Sequence, residues 1–332
     1  MAFECKIAAD SLAPCGARLT TFIVTYPRAI HSEIMTHRIL TKSSASSRAI
    51  PTEKLIERVK MDPWIPDYIG ANQKGMQPGE ELSGIDRTAA VVEWLQARNR
   101  AVEHARNLIT LKVHKGVINR LLEPWMWITV IISGTEWENF FGLRCHEAAE
   151  PHFQHIARMM KTARDASVPK KLGLEEWHLP LIFQEDWDAV LSQETEKRTK
   201  REEMTEKAEA LLIKVSVGRC ARVSYLNHEG KRDLQADIEL HDRLMVQRPL
   251  HAAPAEHVVQ AMDWPEWFRR SSLGDFTPAE VRTRYLKQDA TFGHLEKAQV
   301  AVVLDEMQSG NYLGFKQYRK TLVDEHIGGL MP

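Results

Sequence analysis

The chain has few of the features that assign a protein to a class at once. Its four cysteines are scattered over 332 residues, with no C-x-x-C pair and no dense framework. The 44 Lys and Arg residues are balanced by 45 Asp and Glu residues, so the formal net charge is −1. A broad cationic surface for duplex nucleic acid is therefore not expected, and any anion would be bound locally.

Long apolar runs are missing as well. The apolar run at residues 125–132 is far too short to span a bilayer. The N-terminal region carries Glu4 and Asp10 among short apolar pieces and has no long hydrophobic leader. These absences predict a soluble, cytoplasmic protein without a membrane partner, and unpaired cysteines suit that reducing compartment.

The common motifs for phosphate binding and nucleophilic catalysis are also absent. There is no Walker A loop and no G-x-G-x-x-G fingerprint, so a bound nucleotide would be held largely by side chains. No G-x-S-x-G elbow supports a serine nucleophile. A group of potential ligands matches no strong metal signature, and no metal is predicted for it. Its members are Cys145, His146, Glu150, His152 and His155.

The most distinctive stretch is residues 36–48, which holds three cations, one imidazole and six hydroxyls. Residues 27–35 are expected to form a helix, and residues 43–47 a loop, because Ser and Thr compete for backbone hydrogen bonds. A run of hydroxyl hydrogen-bond donors that ends at the guanidinium of Arg48 suits a phosphate dianion. The alternative interpretation is a polar turn that solvates the end of a helix.

Periodicity elsewhere predicts both strands and helices. Residues 62–81 are rich in Pro and Gly and indicate a long surface loop of the kind that often serves as a lid. Residues 135–138 have the form of a capping box. We expect strands at 19–26 and 125–132, a core helix at 85–114, and further helices at 51–60, 151–164 and 233–247.

A mixed charge run at residues 193–207 has no apolar stripe and predicts a solvated helix or connector. We therefore expect three parts. Residues 1–190 carry the distinctive stretch, residues 191–214 form a charged connector, and residues 215–332 complete the catalytic domain and add a C-terminal extension.

Several separated motifs together resemble the flavin-dependent thymidylate synthases. That family's signature is Arg-His-Arg, four variable residues, Asn, two variable residues, Ser, one variable residue and Arg. Three more family blocks are matched at residues 119–124, 137–144 and 221–225, the last with residues 251–257 downstream. The frame of the signature is occupied here by Thr36, His37, Arg38, Ser43, Ser46 and Arg48.

The order of these blocks differs from the common family arrangement. There, the blocks that correspond to 221–225 and 251–257 precede the signature, whereas here they follow Arg144. The order indicates a circular permutation, which is physically reasonable when chain termini lie close together. The charged run would then belong to the new join.

The resemblance implies an α+β fold, with an antiparallel sheet packed by helices, and a homotetramer whose active sites lie between subunits. The implied reaction transfers a methylene group from methylenetetrahydrofolate to C5 of dUMP. Reduced FAD would supply the hydride, and NADPH would reduce the flavin. A guanidinium at the uracil carbonyls would stabilise enolate-like charge.

The family also implies roles for individual residues. Ser46 and Arg48 would hold the dUMP phosphate, with Arg120 contributed by a neighbouring subunit, and Arg144 would bind the uracil ring as the catalytic residue. The full implied dUMP site is Glu33, Ser46, Ser47, Arg48, Arg120 and Arg144. The implied FAD contacts are His37, Arg38, Asn139, Ser224 and His251.

The chain departs from the family pattern at several positions. Thr36 replaces the first Arg of the signature, Ser43 replaces the Asn, and Ser44 replaces a Glu. Ser133 and Thr135 stand where the family has an Asn and an Arg that help to hold FAD. These departures predict weaker binding of flavin than of nucleotide. They leave two alternatives: a dUMP hydroxymethylase, in which water captures the methylene adduct, and a nucleotide-binding relative without flavin or catalysis.

Overall fold

The structure is a computed structural model. It describes residues 2–196, 201–225, 232–246, 250–287, 295–322 and 325.

A five-stranded sheet lies at the centre of the fold. Its strands are β1 (Glu4–Leu12), β2 (Arg18–Pro27), β3 (Thr41–Ser44), β4 (Trp127–Gly134) and β5 (Lys170–Lys171). Their spatial order is β3-β4-β2-β1-β5. All neighbours pair antiparallel except β1 and β5, which pair in parallel. The two strands expected from β-branched and apolar runs are confirmed as β2 and β4.

Five short strands form two smaller sheets. They are β6 (Trp177–His178), β7 (Val259–Ala261), β8 (Gln308–Ser309), β9 (Tyr312–Leu313) and β10 (Phe315–Gln317). Strands β10, β7 and β6 form an antiparallel sheet in that order, and β8 and β9 form a hairpin.

Twelve α-helices occur in the part of the chain that the structure describes. The first six are α1 (His31–Met35), α2 (Thr52–Met61), α3 (Gly84–Thr110), α4 (Lys115–Ile118), α5 (Glu138–Arg144) and α6 (Pro151–Ala166). The others are α7 (Gln184–Glu196), α8 (Arg201–Tyr225), α9 (Leu234–Val246), α10 (Glu266–Arg269), α11 (Pro278–Lys287) and α12 (Lys297–Glu306).

The central sheet is covered on both faces. The side chains of Phe22 and Val130 point to one face and pack with α5 and α6, through residues such as Phe140 and Phe153. On the opposite face, Ile131 packs against α8. This alternation follows from the two-residue period of a strand. The expected α+β fold, with a mainly antiparallel sheet packed by helices, is confirmed.

Some expectations for single elements are wrong. The helix expected at residues 27–35 is present only as α1, since residues 28–30 form a 3-10 turn before it. Ser43 and Ser44, which were expected in a loop, belong to β3 because their backbone pairs with β4. Helix α5 begins at Glu138 without a side-chain cap from Trp137, so the expected capping box is not formed. Helix α3 buries only two residues, Val102 and Ala105, and its first half is largely exposed. It covers the edge of the core and does not run through it.

The long loop after α2 is docked on the protein. Trp64 is buried at its start, with its ring packed on Trp94 and on His152 of α6. Tyr68 N donates to His152 Nε2 at 3.2 Å. The loop is thus anchored to α3 and α6 over its first part.

The charged run lies at the junction of α7 and α8, and residues 197–200 within it are outside the described residues. Helix α8 continues through residue 214 into the apolar stretch that follows. The three-part division of the chain stays a prediction. Among the described helices, none combines the length and the apolar character needed to cross a membrane.

Candidate active site

The signature segment reverses direction between β2 and β3. A 3-10 turn and α1 follow β2, and the chain then turns back so that β3 pairs with β4. The Thr36 hydroxyl donates to Glu33 O at 2.6 Å. The Lys42 ammonium donates to Leu40 O at 2.8 Å and also to His37 O. These bonds fix the turn that presents the His37 imidazole.

Arg144, the last residue of α5, is held by three neighbours. Its Nε donates to Nε2 of His37 at 2.7 Å. Its guanidinium carbon lies 4.5 Å from the centre of the Phe153 ring, within the range of a cation–π contact. Its Nη1 lies 3.8 Å from a carboxylate oxygen of Glu33. The plane of the guanidinium is therefore set before any ligand binds.

Burial changes the pKa values of His37 and Glu33, the two titratable side chains that contact Arg144. Burial, followed by the charges of Arg144 and Lys42, lowers the pKa of the His37 imidazole to about 4. His37 is therefore neutral near pH 7, with Nε2 as the acceptor and its proton on Nδ1. Burial and then the nearby Glu150 carboxylate raise the pKa of Glu33, while Arg144 opposes that shift. His37 thus accepts the hydrogen bond from Arg144 without adding a charge to the cleft.

A cleft of about 1300 Å³ opens beside this arginine. Four residues implied by the family resemblance line it together: His37, Arg38, Asn139 and Arg144. Glu33 joins this group through its contact with Arg144. The structure therefore brings the first half of the signature and the end of α5 to one place, although about 100 residues separate them in sequence.

The sequence interpretation missed several charged residues of the cleft. Three of its cations come from α11, in a segment for which no role was predicted, and two others come from β2 and α6. The cationic lining consists of Arg18, Arg38, Arg144, Arg164, Arg282, Arg284 and Lys287. The acidic lining consists of Glu136, Glu138 and Glu280. Cations outnumber carboxylates, so the cleft suits an anionic ligand.

The second half of the signature lies elsewhere on the surface. Ser46 and Arg48 are exposed, and the Ser46 hydroxyl accepts hydrogen bonds from both Arg48 N and Arg48 Nε at 3.4 Å. Ser47 is buried, and its hydroxyl donates to Glu123 at 2.6 Å. None of these signature residues lines the cleft beside Arg144.

Arg120 is near this second group in the same chain. It is exposed and follows Asn119, whose side-chain amide donates to Ser47 O at 2.8 Å and to Ile50 O at 2.9 Å. We name Ser46, Arg48 and Arg120 the Arg48 group. It contains one exposed hydroxyl and two exposed guanidinium groups.

Residues 17–170 match the model of the family described as thymidylate synthase complementing protein. The match covers somewhat less than half of the 332 residues. The matched segment contains both the cleft residues around Arg144 and the Arg48 group, so the resemblance to flavin-dependent thymidylate synthases is confirmed for these residues.

Solved structures that resemble the chain include two of PolB, a UMP/dUMP methylase from Streptomyces cacaoi. The one bound with 5-Br UMP is 16% identical, with a TM-score of 0.42, and covers 49% of this chain and 88% of that chain. The one bound with 5-Br dUMP is 17% identical, with a TM-score of 0.33, and covers 44% and 65% respectively. No curated protein matches the chain significantly.

Ser43 and Ser133, two residues that differ from the family pattern, both contact the buried imidazole of His257. Ser133 Oγ lies 2.8 Å from Nδ1 of His257, and Ser43 Oγ lies 3.0 Å from its Nε2. All three side chains are buried. The two serines that stand for family asparagines therefore bind His257, and they tie β3 and β4 to the segment before β7.

The same hydrogen-bonded chain continues across the sheet. Ser133 Oγ lies 2.7 Å from Thr21 Oγ1, which lies 2.8 Å from Nε2 of His178. Nδ1 of His178 then reaches Ser11 Oγ at 2.8 Å. Burial lowers the pKa of both His178 and His257 to about 3. Both imidazoles are therefore neutral, and each uses one nitrogen as donor and the other as acceptor.

The remaining departures also have partners within the protein. The Thr135 hydroxyl accepts from Leu313 N at 3.3 Å, and Ser44 Oγ lies 3.3 Å from Nε2 of His31. Thr36 and Thr135 both line the cleft. A hydroxyl in place of a guanidinium at these two positions removes charge from the wall and leaves space there.

Two implied flavin contacts are not part of the cleft as described. Ser224 lies in the last turn of α8, and its side chain is outside the described residues. His251 is exposed and does not line the cleft.

The sequence group around Cys145 has other partners. His152 Nδ1 lies 2.6 Å from Glu150, and His155 packs against the ring of Phe3. Among the residues that the structure describes, no three His, Cys, Asp or Glu side chains are placed to hold a metal ion.

Proposed function

We propose that this protein is a flavin-dependent thymidylate synthase, which methylates dUMP at C5 with methylenetetrahydrofolate as the carbon donor. The observation that carries the proposal is the preorganised guanidinium of Arg144, within a family-matched segment and beside a large cationic cleft. A fixed cation at the uracil carbonyls stabilises negative charge that develops on the ring when C5 reacts.

The residues around the cleft fit a flavin in part. His37, Arg38 and Asn139 line it, and its volume exceeds the roughly 300–1,000 Å³ of typical small-molecule pockets. It therefore has room for more than a mononucleotide. When bound there, FAD would supply hydride to the nucleotide, with NADPH as the reductant. Ser43 and Ser133, in contrast, are occupied by His257.

We further propose that a complete site needs two copies of the chain, as in a homotetramer. Arg48, with Ser46 and Arg120, would hold the phosphate, and Arg144 of another copy would hold the base. The support is the position of the Arg48 group, which is exposed and does not line the cleft of its own chain. Two forked guanidinium groups match the oxygens of a phosphate monoester.

The direct test is an anaerobic incubation with FAD, NADPH, methylenetetrahydrofolate and dUMP, followed by mass spectrometry of the nucleotide. We expect dUMP to gain a methyl group and to yield dTMP. A hydroxymethyl product would instead favour the hydroxymethylase, since water would then have captured the adduct. Unchanged dUMP, with binding verified by calorimetry and no flavin absorption band, would overturn the proposal in favour of a nucleotide-binding relative.

A further inference from the structure

The cleft has a wall that lies outside the family-matched segment. Helix α11 supplies Arg282, Arg284 and Lys287 to the lining. Arg282 forms an ion pair with Glu136, which precedes α5, so α11 is fixed against the element that carries Arg144. Arg284 stacks on Phe276, with 4.0 Å between its guanidinium carbon and the ring centre.

The carboxylates of the cleft are already engaged. Glu136 pairs with Arg282, Glu138 accepts from Trp137 N at 3.1 Å, and Glu280 accepts from the backbone N of Thr277 at 2.8 Å as a helix cap. Arg284 and Lys287 are exposed, and neither has an ion pair with a carboxylate among the described residues. The lining therefore keeps more cations than carboxylates, and Arg284 and Lys287 are the exposed members of that excess.

Arg164 of α6 adds a buried donor to this cation excess. Its Nε is buried and has no hydrogen-bond partner in the described structure. Arg18, its neighbour, is by contrast held by both oxygens of Asp10, at 3.0 and 2.6 Å, and by Arg164 O at 2.7 Å. Burial and then the positive charge of Arg18 lower the pKa of Arg164, while nearby carboxylates, Glu138 first, oppose that shift.

A buried donor without a hydrogen-bond partner is unfavourable, and more so when the group is charged. An anion bound in the cleft, which Arg164 lines, would compensate the charge of this guanidinium. Phosphate oxygens suit this lining better than a single carboxylate does, because two guanidinium groups and an ammonium converge on one cleft.

We propose that Arg164, Arg284 and Lys287 form a subsite for the diphosphate of a dinucleotide, distinct from the Arg144 position that takes the uracil ring. This inference rests on the proposed function, since FAD and NADPH are the dinucleotides of that reaction and share this chemistry. The cleft volume of about 1300 Å³ accommodates a dinucleotide beside a mononucleotide. Helix α11 is therefore part of the cofactor site.

The test compares Arg164→Gln and the double substitution Arg284→Ala/Lys287→Ala with the unmodified protein. Arg158→Ala is the matched control, because Arg158 is an exposed cation of α6 that does not line this cleft. Calorimetry with inorganic pyrophosphate, FAD and dUMP gives three affinities, and steady-state kinetics give the KM for NADPH. The exposed α11 substitutions keep the test valid if Arg164→Gln fails to fold.

We expect pyrophosphate affinity to fall at least about tenfold in both variants, together with either FAD affinity or the apparent affinity for NADPH. A lower affinity for FAD assigns the subsite to the flavin, and a higher KM for NADPH assigns it to the reductant. Affinity for dUMP and all properties of Arg158→Ala stay unchanged. Unchanged affinities for all phosphate probes, or an equal loss for dUMP, would overturn the subsite.

The pyrophosphate measurement is independent of methylation. Lost pyrophosphate binding in a protein that makes no dTMP would leave the anion subsite standing without the proposed function. If the protein makes dTMP and the variants bind all phosphate probes as tightly as the unmodified protein, the subsite proposal is wrong and the proposed function stands.

Discussion

At the scale of single residues, the position of Arg144 is determined by its neighbours. An arginine side chain has several rotamers of similar energy, and fixing one of them costs conformational entropy. Here His37 accepts from Nε and Phe153 supports the plane of the group, so that entropy is lost on folding and not on ligand binding. Preorganisation of this kind favours tight binding and a low reaction barrier.

Arg144→Gln should lower kcat/KM for dTMP formation at least about 100-fold, which corresponds to about 2.7 kcal/mol of transition-state stabilisation. The amide removes the positive charge that faces the uracil ring. Steady-state kinetics with dUMP as the varied substrate measure the effect. Arg158→Gln, an exposed change on α6, is the control and should match the unmodified protein.

His37→Ala should reduce kcat/KM by about 10-fold to 100-fold, because a hydrogen bond to a charged group contributes about 1.5–3 kcal/mol. His37→Gln should recover part of that loss, since its amide oxygen can accept from Arg144 Nε. His104→Ala changes an exposed imidazole of α3 and serves as the control. Equal activity in His37→Ala and the unmodified protein would mean that Arg144 does not need this acceptor.

Much of this residue-level arrangement could be predicted, because motif spacing links His37, Arg38 and Arg144 to one family site. The contact of Phe153 with Arg144 was not predicted, since an aromatic residue on an apolar helix face is usually interpreted as part of the hydrophobic core. The hydrogen-bond partner of Ser43 and Ser133 also could not be predicted. Their partner, His257, is more than 120 residues away in sequence and is brought to them only by the fold.

At the scale of elements, β3 is held in the sheet by more than its ladder with β4. His257 links Ser43 of β3 to Ser133 of β4, and His178 continues the link through Thr21 of β2. Each imidazole must be neutral to accept on one nitrogen. Protonation of either would place an unpaired charge in the core, which is strongly unfavourable.

Stability should therefore fall with acidification. The pKa of His257 is lowered from the usual 6.5 to about 3 in the folded state, so the unfolded state binds more protons below 6.5. Its contribution is fully present above pH 6.5 and is lost as the pH falls toward 3. The expected slope is about 1.4 kcal/mol per pH unit for each such histidine.

Urea unfolding of the unmodified protein and of His257→Ala, at a series of pH values from neutral to mildly acidic, measures this slope. The variant should be less stable at neutral pH by about 2–4 kcal/mol, from the cavity and two unpaired hydroxyls. Its stability should depend less on pH. An identical pH slope in the two proteins would show that His257 is not neutral and buried in the fold.

Long, periodic elements were predictable and short, cooperative ones were not. Strands β2 and β4 and helices α2, α6 and α9 follow from local patterns that their own residues supply. Strand β3 consists of Thr, Lys and Ser, and it forms because β4 offers a free edge. Strands β5, β6 and β7 have two or three residues each, so only long-range pairing defines them.

At the scale of the whole molecule, two cationic regions of one family segment face different surroundings. One is the cleft beside Arg144, closed on one side by α11. The other is the Arg48 group on the exposed turn after β3. Sequence spacing assigned both to a single nucleotide, whereas within one copy of the chain the Arg48 group does not line the cleft.

The measurement that tests this account most directly is complementation between two inactive variants, Arg48→Ala and Arg144→Gln. Subunits of the two are mixed, exchanged, and verified as hybrids by native mass spectrometry before dTMP formation is assayed. A site built from two copies becomes intact when its Arg48 and Arg144 come from different variants, so activity should return to about a quarter of the unmodified level. Verified hybrids that stay inactive would contradict a site in which Arg48 of one copy and Arg144 of another act on the same dUMP.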